Sequence, residues 1–214
     1  MHAYWCATAF LWARSSEMES TSFERANFRA LEEATCADWR IMVKAEADDR
    51  LKRTTGDRLL HLLASMERDD CLGSPVNLYV HSLQTATRVL RAREDDELVV
   101  VALFHDLPEA LSDNHHGLMA AELLAPWISE RRTWLLVHHV DFQRFHFVNH
   151  PAPDAHIRDR YAGHPFYSET AYFCKFYDQN SFDRDFATLP LREFVPIIRR
   201  FFARPRPPLK PLRT

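Results

Sequence analysis

Glycine is scarce in this chain. Gly56, Gly73, Gly117 and Gly163 are the only four in 214 residues, and none stands near another. There is therefore no GxGxxG or Walker loop to cradle a phosphate. Cysteine is sparse too: Cys6, Cys36, Cys71 and Cys174 lie far apart with no CxxC pair. That excludes a zinc knuckle and a disulfide framework, and suits a reducing cytoplasm. No apolar run approaches the roughly 18 residues a membrane span needs, so no membrane partner is expected. The first 20 residues lack a basic leader region and a clear small-residue cleavage site, so they are not read as a signal peptide. Met18 offers an alternative start. A net charge of −3 and a pI near 6.5 leave no polyanion-wrapping surface, so nucleic acid is not an expected partner.

What is present is a globular composition, 46% hydrophobic and 27% charged, long enough for one domain with extensions. Three parts are expected: an N-terminal extension over 1–50, forming a helical cover that includes Asp38-Trp39-Arg40; a domain over 51–203; and a disordered tail over 204–214. The tail holds four prolines and four basic residues in eleven, which no helix accommodates.

Helical periodicity dominates and strand alternation is nowhere sustained, so the fold class is all-α. Helices are expected over 57–69, from the N-cap Asn77 to about Arg91, over 97–111, and over 115–124, 128–140, 165–178 and 191–203. Pro196 should kink or start the last one. Asp95 and Asp96 suit the N-terminus of the helix over 97–111. Its Leu98–Phe104 stretch is apolar on every face, which puts that helix at the centre of the molecule.

Twelve histidines stand out, ten of them between residues 81 and 164. His105-Asp106 ends the most buried helix, where an imidazole and a carboxylate are costly unless a cation compensates. His116 shares a helical face with Met119, Ala120, Leu123 and Leu124, while His115 points to solvent. His139 follows Leu135 and Leu136 on an inward face, and His81 follows Leu78. One inward histidine is usually a hydrogen-bonded core residue. Four on separate helices, with a carboxylate among them, form a metal site. Imidazole and carboxylate donors without thiolate suit Fe, Mn, Co or Zn. His2 and His61 read as surface or packing residues. His138, His146, His150, His156 and His164 fit either a place beside a ligand or simple packing.

The order His81 … His105-Asp106 … Asp178, the last in a Tyr-Asp-Gln context, resembles the HD-domain superfamily of helical metalloenzymes over roughly residues 57–202. The resemblance implies a helical HD bundle in which His81, His105, Asp106 and Asp178 hold one metal. Two further histidines mark its dinuclear members, which implies that His116 and His139 hold a second metal with Asp106 bridging as the central catalytic residue. Dinuclear members either hydrolyse phosphoesters and nucleotides or, like myo-inositol oxygenase and the phosphonate-cleaving oxygenases, oxidise a C–H bond with O2 at a mixed-valent Fe(II)/Fe(III) pair. The stretches 139–145, 176–183 and 73–77 are more similar to the phosphonate-oxygenase branch.

Departures bear on the substrate. Many HD enzymes follow His-Asp with a hydrophobic residue and Gly-Lys; here Leu107-Pro108-Glu109 follows and reverses the charge. Gln143 stands where the phosphonate oxygenases carry a Lys, and Cys71 and Ser74 align with their Tyr and Glu lid residues. The expectation is a di-iron oxygenase acting on a small hydroxylated, acidic molecule with O2, with an HD phosphohydrolase as the alternative. Arg144, Lys175, Gln143 and His138 are the candidate substrate-binding residues.

Overall fold

The computed structural model describes residues 24–203 apart from 53, 113, 152 and 153, with side chains of 48–52 also left aside. The alternative start at Met18 and the tail over 204–214 lie outside the described residues. The chain divides into two compact units, residues 1–52 and 53–214. In the first, α1 (Cys36–Lys52) follows a short 3₁₀ turn, Leu31–Glu33. Asp38 knots its entry, accepting from the Asn27 and Thr35 amides at 2.9 Å each and from the Thr35 hydroxyl at 2.6 Å.

The second unit contains α2 (Thr55–Ser65), α3 (Leu78–Arg91), α4 (Asp96–Phe104), α5 (His116–Leu124), α6 (Glu130–Gln143), α7 (Tyr167–Phe173) and α8 (Val195–Phe202). The described residues are all-α, with no strand. Local chemistry sets the starts. Thr54 and Asp57 form a reciprocal capping box on α2, Asn77 accepts from the Val80 amide on α3, and Asp95 accepts from the Leu98 amide on α4. Pro196 lies in the first turn of α8, where its missing N–H costs nothing.

Helix α4 is the axis of the unit. Every residue from Leu98 to Phe104 is buried, walled by α3, α6 and α8. Gly56 lets α2 sit against α8, since a Cβ there would fall 2.7 Å from Phe202 Cδ2 and 2.9 Å from Ile198 Cγ2.

Four boundaries differ from the sequence expectation. The helix expected over 97–111 stops at Phe104, and a 3₁₀ turn, Leu107–Ala110, replaces its end. Pro108 has no N–H to continue the ladder, and its ring would clash with the Phe104 carbonyl four residues before it. Asp106, the residue before the 3₁₀ turn, sits at φ −104°, ψ 4°. The helix expected over 165–178 opens after Phe173 into a π-turn, Cys174–Asp178, which turns Cys174, Tyr177 and Asp178 inward together. Residues 66–68 and 191–193 are 3₁₀ turns rather than parts of the neighbouring helices. Finally, α5 buries His116, Gly117, Ala120, Ala121 and Leu124, whereas Met119 and Leu123, expected inward, are over a third exposed.

Candidate metal centre

Each expected donor arrives on its own element. His81 stands in the first turns of α3, and His105 caps the end of α4. Asp106 follows in the turn that Pro108 forces. His116 opens α5, His139 lies on α6, and Asp178 ends the π-turn. All six are buried, with exposures of 7% or less. Two sets could hold metal ions, His81 with His105, Asp106 and Asp178, and Asp106 with His116 and His139; within each, one donor atom per residue lies within 4.8 Å of every other.

Asp106 joins the sets through its two oxygens. Its Oδ2 lies 3.2 Å from His81 Nε2 and 3.1 Å from His105 Nε2. Its Oδ1 lies 3.3 Å from His116 Nε2 and 3.1 Å from His139 Nε2. Asp178 Oδ1 adds a contact to His81 Nε2 at 3.3 Å. The imidazoles also face one another: Nε2 of His81 and His105 are 3.2 Å apart, as are those of His116 and His139.

The backbone fixes the tautomers. His81 Nδ1–H donates to the Ser181 carbonyl at 3.1 Å, His105 Nδ1–H to Ala102 at 2.9 Å, and His139 Nδ1–H to Leu136 at 2.7 Å. A carbonyl only accepts, so the proton sits on Nδ1 and each neutral ring presents an Nε2 lone pair to the centre. Lone pairs and carboxylate oxygens at about 3.2 Å repel unless a cation lies between them. Donors bonded at about 2.0–2.2 Å to one ion stand about 3.0–3.5 Å apart around it. The spacing fits metal ions. Asp178 Oδ2 is buried with no hydrogen-bond partner, a further acceptor directed at nothing in the protein.

Without metal, protons are the only substitute. Burial pulls the His81 imidazole down, but Asp106 and Asp178 outweigh it and lift it to about 9. His105 moves well above its usual range against its own burial, because Asp106 and Asp178 adjoin it. Burial raises Asp106, but His105, His116 and His139 outweigh that and hold it well below the usual carboxylate range. Glu109, half-buried in the 3₁₀ turn after Asp106, is raised by burial and then by the charge of Asp106.

Packing holds the rings. Phe182 lies over His81 with centroids 4.6 Å apart, and Phe173 meets His105 edge-on at 5.7 Å. Gly117 allows α5 and α6 to touch: a Cβ there would come 2.5 Å from the Leu136 carbonyl oxygen and 3.2 Å from His139 Cε1.

The candidate substrate residues separate. Gln143 reaches the centre, donating from Nε2 to Asp178 Oδ1 at 2.9 Å. Lys175, one turn before Asp178, is exposed beside the Phe176 ring. Arg144 is turned instead to Asp141 at 3.9 Å. His138 packs between Trp134 and Tyr161, with ring centroids at 4.4 and 4.5 Å, and belongs to that aromatic cluster rather than to the donor sets. His115 is exposed at the N-cap of α5.

His146, read from the sequence as lying beside a ligand or simply packed, stands seven residues after His139 and three after Gln143, within reach of the Asp178 charge. One residue near the centre escaped the sequence reading. Arg158 carried no local signal, since only the fold brings it near. No protein-family model matches the chain, and no curated protein matches it.

Proposed function

We propose that the chain is an HD-domain metalloenzyme that binds two metal ions, Fe(II)/Fe(III) in its working state, and oxidises a C–H bond of a small hydroxylated acid with O2. The observation that carries this reading is the division of Asp106, one oxygen toward each histidine pair. His81, His105, Asp106 and Asp178 would hold one ion, and Asp106, His116 and His139 the other. Imidazole and carboxylate donors suit iron, and Mn, Co or Zn share the preference. When bound, such a pair would supply abstraction of hydrogen from a C–H bond, with O2 as the oxidant.

The protein's own contribution is positioning and charge. Asp106, kept ionised, ties the two sets together. Hydrogen bonds from Nδ1 to backbone carbonyls make His81, His105 and His139 stronger donors and fix their planes. The apolar wall from Val99 to Phe104 keeps bulk water from the rear of the centre. A cytoplasmic setting fits the free thiols of Cys36, Cys71 and Cys174.

The alternative is a metal-dependent phosphohydrolase acting on a phosphoester or nucleotide. The donor sets serve it equally, because two metals can also activate water. Glu109 favours the oxygenase: this half-buried carboxylate, close enough to interact with Asp106, His116, His81 and His105, follows His-Asp where many HD enzymes carry a Lys for an anionic substrate. The test is iron-loaded protein assayed for O2 uptake with small hydroxylated carboxylic and phosphonic acids, beside a phosphoester and nucleotide panel. O2 consumption with an electron paramagnetic resonance signal of a coupled mixed-valent pair supports the oxygenase. Phosphate release without O2 uptake replaces it with the hydrolase.

A further inference from the structure

The Phe173 ring that meets His105 edge-on also lines a cavity of about 200 Å³, in whose wall none of the six donors takes part. The cavity lies among the loop joining α3 to α4, the first turn of α6, and the run from α7 into the π-turn.

Its charges do not balance. Arg131 and Arg132 reach Asp95 at 3.2 and 3.1 Å, and Arg132 also pairs with Glu169. The third carboxylate of the lining, Glu94, meets no cation among the described residues. Its Oε1 accepts from the Tyr177 hydroxyl at 2.7 Å. Burial pushes that hydroxyl up and Glu94 pushes it further, so it stays protonated and donates. Glu94 also stands just past the C-terminus of α3. Arg93 takes a left-handed φ of 60° there, and the Glu94 amide turns back to the Val89 carbonyl at 3.4 Å. That end of a helix is negative, so a cation beside Glu94 gains from both. The last-turn cations Arg88 and Arg91 lie instead over the Phe186 ring, 4.0 and 5.1 Å from its centroid.

A second observation concerns Arg132, which is 3% exposed. Its two Nη groups serve Asp95 and Glu169, but its buried Nε–H has no hydrogen-bond partner and needs an acceptor. The remaining walls are aromatic. Tyr172 and Phe173 set their rings edge-on to Tyr177, with centroids 5.7 and 6.1 Å away. Rings attract an alkylated ammonium, whereas a hard inorganic cation needs an oxygen shell that they do not supply.

We infer that this cavity binds a small organic ammonium ion carrying an oxygen acceptor, the ammonium at Glu94 and the oxygen toward Arg132. Its place makes that ligand an effector of the metal centre. Tyr177 immediately precedes Asp178 in the π-turn, and Phe173 supports the His105 ring. A ligand that holds these two rings favours the arrangement in which Asp178 and His105 serve one ion. Linkage then requires the ion to favour the ligand by the same factor. The inference goes beyond the proposed function and needs only that the centre binds metal, whatever reaction it performs.

The experiment titrates 2-methoxyethylammonium by calorimetry into the full chain, metal-free and Mn(II)-loaded, at constant ionic strength. Ethylammonium lacks the oxygen, 2-methoxyethanol lacks the charge, and potassium chloride supplies an inorganic cation. The expected result is one saturable site, several-fold tighter with Mn(II), that takes ethylammonium more weakly and neither 2-methoxyethanol nor potassium. Glu94→Gln should weaken binding about tenfold and Tyr172→Leu several-fold, with helical circular dichroism unchanged. Glu122→Gln, an exposed carboxylate on α5, should change nothing. Absence of saturable binding, equal binding by wild type and Glu94→Gln, or displacement by equimolar potassium overturns the site. Equal affinity with and without Mn(II) overturns its role as an effector. Failure to load Mn(II) overturns the proposed function instead, and the metal-free titration still decides the cavity.

Discussion

His81 and His105 present their Nε2 atoms to each other at 3.2 Å, while their Nδ1 protons are committed to the Ser181 and Ala102 carbonyls. Neither ring can donate to the other in its neutral form. Only a proton or a metal ion relieves that pair. His139, its Nδ1 proton committed to the Leu136 carbonyl, faces His116 Nε2 at the same distance. The centre is thus a cavity of acceptors whose stability depends on what positive charge fills it.

The first expectation concerns stoichiometry. Protein produced with iron and purified without chelators should carry close to two equivalents by elemental analysis. His116→Ala and His139→Ala should each remove about one, whereas His115→Ala, exposed on the opposite side of the α5 start, should remove none. A content near one that neither inward substitution changes would refute two sites.

Gly117 gives a sharper test, because it touches no metal. Alanine usually stabilises a helix over glycine by about 1 kcal/mol. Here the added Cβ would fall 2.5 Å from a backbone oxygen of α6, so the two helices must separate. Gly117→Ala should weaken binding at the His116–His139 set by about 10- to 100-fold, the usual cost of moving a supporting contact. The set containing His81 should keep its ion. Metal titration distinguishes the two.

Asp106→Asn keeps the volume and removes the charge shared between the sets. It should lose at least one metal and all turnover, with helical content unchanged by circular dichroism. Asp106→Leu separates charge from packing in the metal-free protein. Above pH 9, once both His81 and His105 have given up their protons, the leucine variant should melt no lower than wild type, since a buried carboxylate then has little to pair with. At pH 6 it should melt lower, because charged imidazoles lose their partner. A melt several degrees lower in both regimes would mean that Asp106 is a structural partner only.

The pH dependence of metal stabilisation follows from the same groups. His81 is lifted in the fold, so the stability it contributes is fully present below about pH 6.5 and is lost as pH rises through about 9. His105 has the same sign. Asp106 has the opposite sign: its contribution is present above about pH 4 and is lost as pH falls further. Metal-free protein should therefore be most stable between about pH 4 and 6.5. Metal ions displace those protons, so the rise in melting temperature on adding Mn(II) should grow steadily from pH 6 to 9. A rise that shrinks over that interval would contradict the assignment of donors. Differential scanning fluorimetry at matched ionic strength reads it directly.

The helices were legible because their causes are local. Asn77 and Asp95 cap where they stand, Pro196 starts α8, and the apolar run Leu98–Phe104 requires burial whatever surrounds it. The inward phase of His116 and His139 was legible as well, from the small and apolar residues three and four positions away. The face of α5 was only half right. Gly117 and Ala121 look featureless in sequence, yet they are buried because α6 passes close enough to require small side chains. The end of α4 was misread although Pro108 marked it, since the apolar run outweighed the break.

The sequence by itself determined which side chains can act: four histidines on separate inward faces and Asp106 at the end of the buried apolar run, with no thiolate among them, while Asp178 was implied only by the family resemblance. Tertiary structure alone decided how they divide. The turn forced by Pro108 points the two oxygens of Asp106 to different histidine pairs, and the π-turn at Cys174–Asp178 swings Asp178 to one of them. It also decided which of the expected substrate residues reach the centre, turning Arg144 to Asp141 and His138 to Trp134 while Gln143 meets Asp178. Such pairings depend on distances between elements remote in the chain, and a periodicity read along one helix carries no information about the angle at which another crosses it.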